Sequence, residues 1–253
     1  MQKPQPGHFY AVGIGPGSPD LLTVRAVNII EAVDVILTPQ ARGSNRSLAL
    51  NAIAPYLHQQ EVMTVSYPME RNGSNTSERW SRVADEVLQR LQQGRSVAMI
   101  TIGDPLIFAT TSYLLYGLSA TLAKEKIHLV PGISAFQIGA SRFHDPLTLQ
   151  EDRLTLMSAT DLKAVENALG HCETLVLYKA AGVIGDLMAL LKGKELLSSS
   201  RLVSCAEHGD QELVVENLET WTPRPLNYMT TVIVRAGQKS WQKDEQPEQG
   251  TRR

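Results

Sequence analysis

Three short turns in this chain combine glycine, proline and a polar residue, and each follows an apolar run. The first is Gly13-Ile14-Gly15-Pro16-Gly17-Ser18-Pro19-Asp20, after residues 9–12. The second is Thr101-Ile102-Gly103-Asp104-Pro105, after 97–100, and the third is Pro131-Gly132-Ile133-Ser134-Ala135, after 128–130. Glycine lets a backbone approach a ligand closely, and proline stiffens the turn. A helix is expected just beyond each turn, so its free N–H groups face the same opening. That combination suits a nucleotide-like ligand. The Asp104 carboxylate can accept hydrogen bonds from a ribose hydroxyl or an amine, or it can cap the next helix. Ser134 is open to the same two readings. Pro16 is either a ligand-shaping residue or an ordinary turn proline.

The first turn departs from the dinucleotide fingerprint. Gly13, Gly15 and Gly17 are followed by Ser18 where a last glycine is wanted, and Leu37-Thr38-Pro39 offers no acid at the end of the second strand. Pro16 also stiffens a position that a Rossmann loop keeps flexible. These features point away from NAD and toward another adenosine-bearing cofactor.

Elements must exist to hold the turns. Apolar strand patterns fall at 9–13, 33–37, 62–65, 97–100, 128–130, 154–157, 174–177, 202–206, 213–215 and 231–234. Amphipathic helical patterns fall at 19–31, 48–56, 77–92, 108–124, 134–143, 162–169 and 183–191. The first helix has Ser18 as its cap, Pro19 at its first position and Asp20 in its first turn. Alternation of strand and helix predicts parallel strands joined by crossovers. In the last third, strands follow one another without convincing helices, so part of that sheet is expected to be antiparallel. The expected organisation is two α/β domains, 1–124 and 125–237, with a mostly parallel first sheet and a mixed second one. Residues 238–253 read as a polar, frayed tail. Ligands of such folds lie outside the carboxyl ends of strands, and pockets favour domain interfaces.

Composition narrows the partners. The chain has 253 residues, 43% of them hydrophobic, and a formal net charge of -2 from 24 basic and 26 acidic residues. That balance gives no basic stripe for nucleic acid. No apolar run approaches the ~20 residues that cross a bilayer, and no signal-peptide core opens the chain. The two cysteines, Cys172 and Cys205, have neither metal-ligand spacing nor a disulfide framework. A reducing cytosol is the simplest home, with both thiols as small core residues. No metal site is expected.

Taken together, the turns resemble a known family. Gly13-Ile14-Gly15-Pro16-Gly17 with Asp20-Leu21-Leu22-Thr23, then Gly103-Asp104-Pro105, then Val130-Pro131-Gly132-Ile133-Ser134-Ala135, are similar in order and spacing to the tetrapyrrole (class III) S-adenosylmethionine methyltransferases. The resemblance runs from about His8 to Gly237. Asp34 to Pro39, Gly43 with Ser47 and Ala49, Tyr67-Pro68-Met69, Trp80, Ile107-Phe108 with Thr110, and Tyr178-Lys179 resemble the branch that methylates carbon 20 of precorrin-2.

The resemblance implies two α/β domains with a cofactor cleft between them, a homodimer, and a folded S-adenosylmethionine converted to S-adenosylhomocysteine. Carried onto this chain, it places cofactor contacts at Pro16, Gly103, Asp104, Ile107, Ser134 and Ala135, with further ones at Lys179, Gly209, Thr230 and Thr231. The implied substrate is a tetrapyrrole edged with carboxylates, and arginine pairs with carboxylate bidentately. Arg42, Arg46, Arg71, Arg142 and Arg153 are the candidates; each is otherwise a solvated surface arginine. Lys179 either guides a carboxylate or simply reaches solvent. His144 and Glu151 follow the third turn and are either cleft-lining or structural. No residue stands out as the catalytic base.

Other readings stay open at this stage. A sibling enzyme would methylate a different tetrapyrrole carbon, a diphthamide precursor or ribosomal RNA. A non-catalytic sensor would bind an adenosine ligand without turnover.

Overall fold

The computed structural model describes residues 3–41, 47–67 and 76–238. The chain divides into two compact units, Met1–Ser134 and Ala135–Arg253.

The first unit runs β1 (Phe9–Gly13), α1 (Val24–Ala32), β2 (Val35–Ala41), α2 (Leu48–Ile53), β3 (Glu61–Tyr67), α3 (Thr76–Gln92), β4 (Val97–Thr101), α4 (Thr111–Ser119) and β5 (Ile127–Val130). Its five strands are all parallel, in the order β3-β2-β4-β1-β5. Alternate residues of β1 serve opposite faces. Tyr10 and Val12 pack with α1 and α2, through Ala26, Ile29, Ile30 and Ile53. Phe9 and Ala11 pack with α3 and α4, through Val83, Val87, Leu114 and Leu118. Helices cover both faces, so β1 and β4 are buried at every position and read as continuous apolar runs. The unit ends later than the 124/125 junction expected from the pattern, because β5 pairs along β1 and completes this sheet.

Local breaks follow from local chemistry. The single helix expected at 19–31 is a short 3-10 turn, Pro19–Leu21, and then α1. Leu22 is extended (φ -70°, ψ 139°) between the two. Thr23 caps α1 by accepting from the Ala26 N–H, while the Ser18 hydroxyl donates to Asp20 instead of capping. Likewise α2 tightens into a 3-10 turn at Ala54–Tyr56, which contains Pro55. Pro39 is tolerated inside β2 because β4 pairs with that strand only from Val35 to Leu37.

The second unit runs α5 (Ala135–Arg142), β6 (Leu154–Ser158), α6 (Leu162–Leu169), β7 (Thr174–Tyr178), α7 (Ile184–Gly193), β8 (Ser200–Ser204), β9 (Leu213–Val215) and β10 (Thr230–Arg235). Its sheet order is β6-β7-β10-β8-β9. β6 and β7 are parallel, whereas β10 is antiparallel to both its neighbours and β9 is antiparallel to β8. This is the mixed sheet that the helix-poor last third predicts. α6 and α7 cover one face through Val165, Leu169, Leu187 and Leu191. α5 lies on the other, against Val176, Val203 and Ile233. Gly139 permits that approach, since a Cβ there would stand 2.9 Å from Val203 Cγ1.

An ion pair at the base of this sheet carries a pH prediction. Glu173 accepts from the Arg153 backbone N–H (2.8 Å), Nε (3.1 Å) and Nη2 (3.0 Å). The guanidinium, and then the backbone N–H, pull the Glu173 carboxyl down from 4.5 to about 2. A carboxyl lowered by folding stabilises the folded state above its ordinary pKa, and that stability is lost as pH falls toward the folded value. Thermal melts of wild type should therefore decline between pH 4.5 and 2 more steeply than those of Glu173→Gln. Parallel declines would show that this pair does not contribute.

Candidate functional site

The first unit has a topological switch point. The chain leaves β1 toward the face covered by α1, and leaves its neighbour β4 toward the face covered by α4. Loops that diverge from adjacent parallel strands open a crevice at their carboxyl ends, where open α/β sheets bind ligands. β5 lies on the other side of β1, so all three glycine turns emerge side by side.

The turns are fastened to one another. The Ile14 N–H donates to the Thr101 carbonyl (2.9 Å), and the Gly103 N–H to the Gly15 carbonyl (2.7 Å). Asp104 ties the second turn to itself and to the third: Oδ1 accepts from the Leu106 N–H (2.9 Å) and Oδ2 from the Gly132 N–H (3.1 Å). Both alternatives for Asp104 thus meet a third role, since its carboxylate joins two turns. Packing is equally close. A Cβ on Gly13 would stand 2.6 Å from both the Gly103 carbonyl oxygen and the Gly132 nitrogen. Gly13 and Gly132 are required by these contacts, and their position at the ends of apolar runs was the signal available in the sequence.

The surface left by this packing is mostly backbone. Gly103 has φ +81° and is buried, and a Cβ built there would make ordinary contact with Ser134 Cα at 3.9 Å. Pro16 and Ser134 are buried, and Asp104 and Ile107 half-buried. Glycine backbone and a carboxylate with further lone pairs are groups that suit the hydroxyls and amine of an adenosine-bearing cofactor.

The second unit gathers the remaining expected contacts at one end of its sheet. Lys179 follows β7 and is exposed with φ 59°. Thr230 and Thr231 open β10, in register with Ser204 and Tyr178. Gly209 lies in the loop from β8 to β9, at the same end. Both threonines are buried, and Thr230 Oγ1 sits 2.9 Å from Ser204 Oγ and 2.5 Å from the Asn227 carbonyl. That hydroxyl is engaged by the fold, which leaves backbone as what Thr230 presents. Ala135 opens α5.

The arginines divide. Arg42, Arg46 and Arg71 lie outside the described residues. Arg153 is held by Glu173 as above. Arg142 is held by two carboxylates, with Nε on Glu212 Oε1 at 2.6 Å and Nη2 on Glu207. The guanidinium holds the Glu212 carboxyl below its ordinary range. No local pattern marks these pairs, because Arg142 meets partners 65 and 70 residues away. His144 and Glu151 are both exposed. Burial raises the thiol pKa of Cys172 and of Cys205, which suits core residues and not nucleophiles.

A parallel sheet with its switch point at three glycine turns, followed by a mixed-sheet unit, is shared with known proteins. The chain belongs to the tetrapyrrole (corrin/porphyrin) methylases, whose family model matches residues 8–221. It is 33% identical over 238 residues to the cobalt-precorrin-2 C(20)-methyltransferase of Salmonella typhimurium, covering 93% of this chain and 98% of that one. Its fold is similar to the X-ray structure of the cobalt precorrin-4 methyltransferase CbiF (TM-score 0.69, 18% identity, 90% of this chain and 94% of that chain). It is also similar to uroporphyrin-III C-methyl transferase from Thermus thermophilus, solved in complex with S-adenyl homocysteine (TM-score 0.60, 21% identity, 90% and 96% coverage).

Proposed function

We propose that this protein transfers the methyl group of S-adenosylmethionine to carbon 20 of precorrin-2, or of its cobalt-loaded form cobalt-factor II, in cobalamin biosynthesis. The observation that carries the reading is the meeting of the three glycine turns at the β1/β4 switch point. The choice of carbon and substrate rests on the 33% identity, over nearly the full length, to a cobalt-precorrin-2 C(20)-methyltransferase.

The sulfonium of the bound cofactor supplies an activated methyl group, and the protein supplies alignment and electrostatics. Pro16, Gly103, Asp104, Ile107 and Ser134 of the first unit contact the cofactor. Ala135, Lys179, Gly209, Thr230 and Thr231 of the second unit do the same. The meso carbon of a reduced tetrapyrrole is electron-rich through its pyrrole nitrogens and attacks the methyl in line. Holding carbon and methyl about 3–3.5 Å apart provides up to ~7–11 kcal/mol of the acceleration. Arg42, Arg46 and Arg71 are the cations available to the substrate carboxylates. Arg142 and Arg153 already serve Glu207, Glu212 and Glu173. Any cobalt arrives inside the substrate. The protein works in the cytoplasm, a reading taken from its two unpaired cysteines, and as a homodimer, a reading taken from the family resemblance. Among the described residues no helix is long and apolar enough to cross a membrane.

Incubation with methyl-labelled S-adenosylmethionine and each tetrapyrrole, followed by mass spectrometry and carbon NMR, tests the reading. One label at carbon 20 is expected. Label at another carbon would reassign the protein to a sibling activity, and cofactor binding with no transfer to either tetrapyrrole would make it a sensor.

A further inference from the structure

The loop between β8 and β9 is held in an unusual backbone state. Cys205 (φ 50°), Glu207 (φ 65°) and Gly209 (φ 56°) all adopt left-handed conformations within five residues, and two of them are not glycine. Such conformations persist only where surrounding contacts over-determine them. Some of those contacts are local: the Cys205 N–H donates to the Met229 carbonyl (3.1 Å), and the His208 N–H to the Cys205 carbonyl (3.0 Å). Others come from a side chain outside the loop. Arg142 Nε and Nη2 reach both oxygens of Glu212, at 2.6 and 3.3 Å, and Nη2 also reaches Glu207. Glu212 Oε2 in turn accepts from the Glu207 N–H at 3.3 Å. Without the guanidinium, two carboxylates would face each other across the loop. All three side chains are at least two-thirds shielded from solvent (31%, 20% and 19% exposed), so the cluster is more than a surface pair.

Arg142 is the last residue of α5, and Ala135 is the first. One eight-residue helix therefore links Ala135, a position of the cofactor reading, to the residue that holds the Gly209 loop. We propose that Arg142 is a positioning residue for the cofactor, clamping Glu207 and Glu212 so that the Gly209 loop is fixed relative to the helix that begins at Ala135. The proposal rests on the function reading above, which makes Gly209 and Ala135 cofactor contacts. It gives Arg142 a different task from the tetrapyrrole anchoring that its charge alone suggests.

Three variants test it: Arg142→Ala, Arg142→Lys and Glu212→Gln. Calorimetry with S-adenosylhomocysteine should show at least about tenfold weaker binding for Arg142→Ala, since small displacements of positioning groups have large effects. Lysine keeps the charge but loses the fork, so Arg142→Lys should fall between alanine and wild type. Glu212→Gln should behave like Arg142→Ala, and the double variant should be no worse than the poorer single one. The KM for S-adenosylmethionine should rise while that for the tetrapyrrole stays near wild type. Hydrogen exchange should quicken at 205–212 and not in the first unit. Unchanged cofactor affinity with a raised tetrapyrrole KM would overturn the proposal and make Arg142 a substrate cation. If Arg142→Ala misfolds, Glu212→Gln carries the same test. Wild-type protein that fails to bind S-adenosylhomocysteine would remove the function reading and the proposal together. Normal wild-type binding with no change in any variant would remove the proposal alone.

Discussion

Replacing Gly132 with alanine is expected to cost about 1–3 kcal/mol of stability, the usual range for overpacking, and to weaken cofactor binding on the order of a hundredfold. The new Cβ would stand 2.2 Å from the Gly103 carbonyl oxygen, 2.8 Å from Gly13 C and 2.9 Å from Gly13 Cα. All three are backbone atoms, so no side-chain rotation relieves the clash. Relief requires the ends of β1, β4 and β5 to separate, and those ends are what the three turns share. Gly13→Ala should behave alike, since its Cβ would meet the same Gly103 oxygen at 2.6 Å. Gly170→Ala is the control. Nothing lies within 4 Å of a Cβ there, and its φ of -82° suits any residue, so the change should stay within about 0.5 kcal/mol. Urea unfolding and titration with S-adenosylhomocysteine read both quantities. A Gly132→Ala protein that unfolds and binds like wild type would show that the packing of the turns does not shape the site.

This dependence explains why the turns could be found from sequence. A glycine forced by close backbone approach sits at a fixed place, within two residues of the end of an apolar run, and both features are local. The strands of the first sheet were legible for a related reason. A parallel sheet covered on two faces demands apolar residues along its strands, and 9–13 and 97–100 meet that demand. The mixed second sheet was legible from the lack of helices between its last strands.

What was not legible lies at longer range or below the resolution of a pattern. The break at Leu22 leaves the apolar spacing of 19–31 unchanged, so periodicity could not separate the 3-10 turn from α1. The place of β5 was missed because a four-residue strand says nothing about which sheet it completes. Arg142 and Arg153 looked like free cations, because their carboxylate partners are set by tertiary packing. The left-handed Cys205 and Glu207 carry no residue signature at all, unlike Gly209 between strands. Asp104 is the instructive middle case. Its type and place drew attention to it, but the choice between ligand acceptor and helix cap omitted the third turn, 28 residues on, with which it bonds.

Asp104 therefore gives the second large prediction. Asp104→Ala removes the acceptor for the Leu106 and Gly132 N–H groups together. Leu106 is exposed and its N–H will find water, so the stability loss should be modest, about 1 kcal/mol from the Gly132 bond. Binding should suffer more. The second and third turns lose their tie, and the proposed cofactor contact loses its carboxylate acceptor. Two such interactions, each ~1–1.5 kcal/mol, predict S-adenosylhomocysteine affinity about 30- to 150-fold below wild type. Asp104→Asn separates the ideas further. An amide has one acceptor oxygen, so its NH2 must face one of the two backbone N–H donors. The asparagine variant should then be nearly as impaired as alanine, although it is isosteric with aspartate. If asparagine restores wild-type affinity, the tie between turns is not what matters; if alanine itself binds within twofold of wild type, Asp104 has no part in the site.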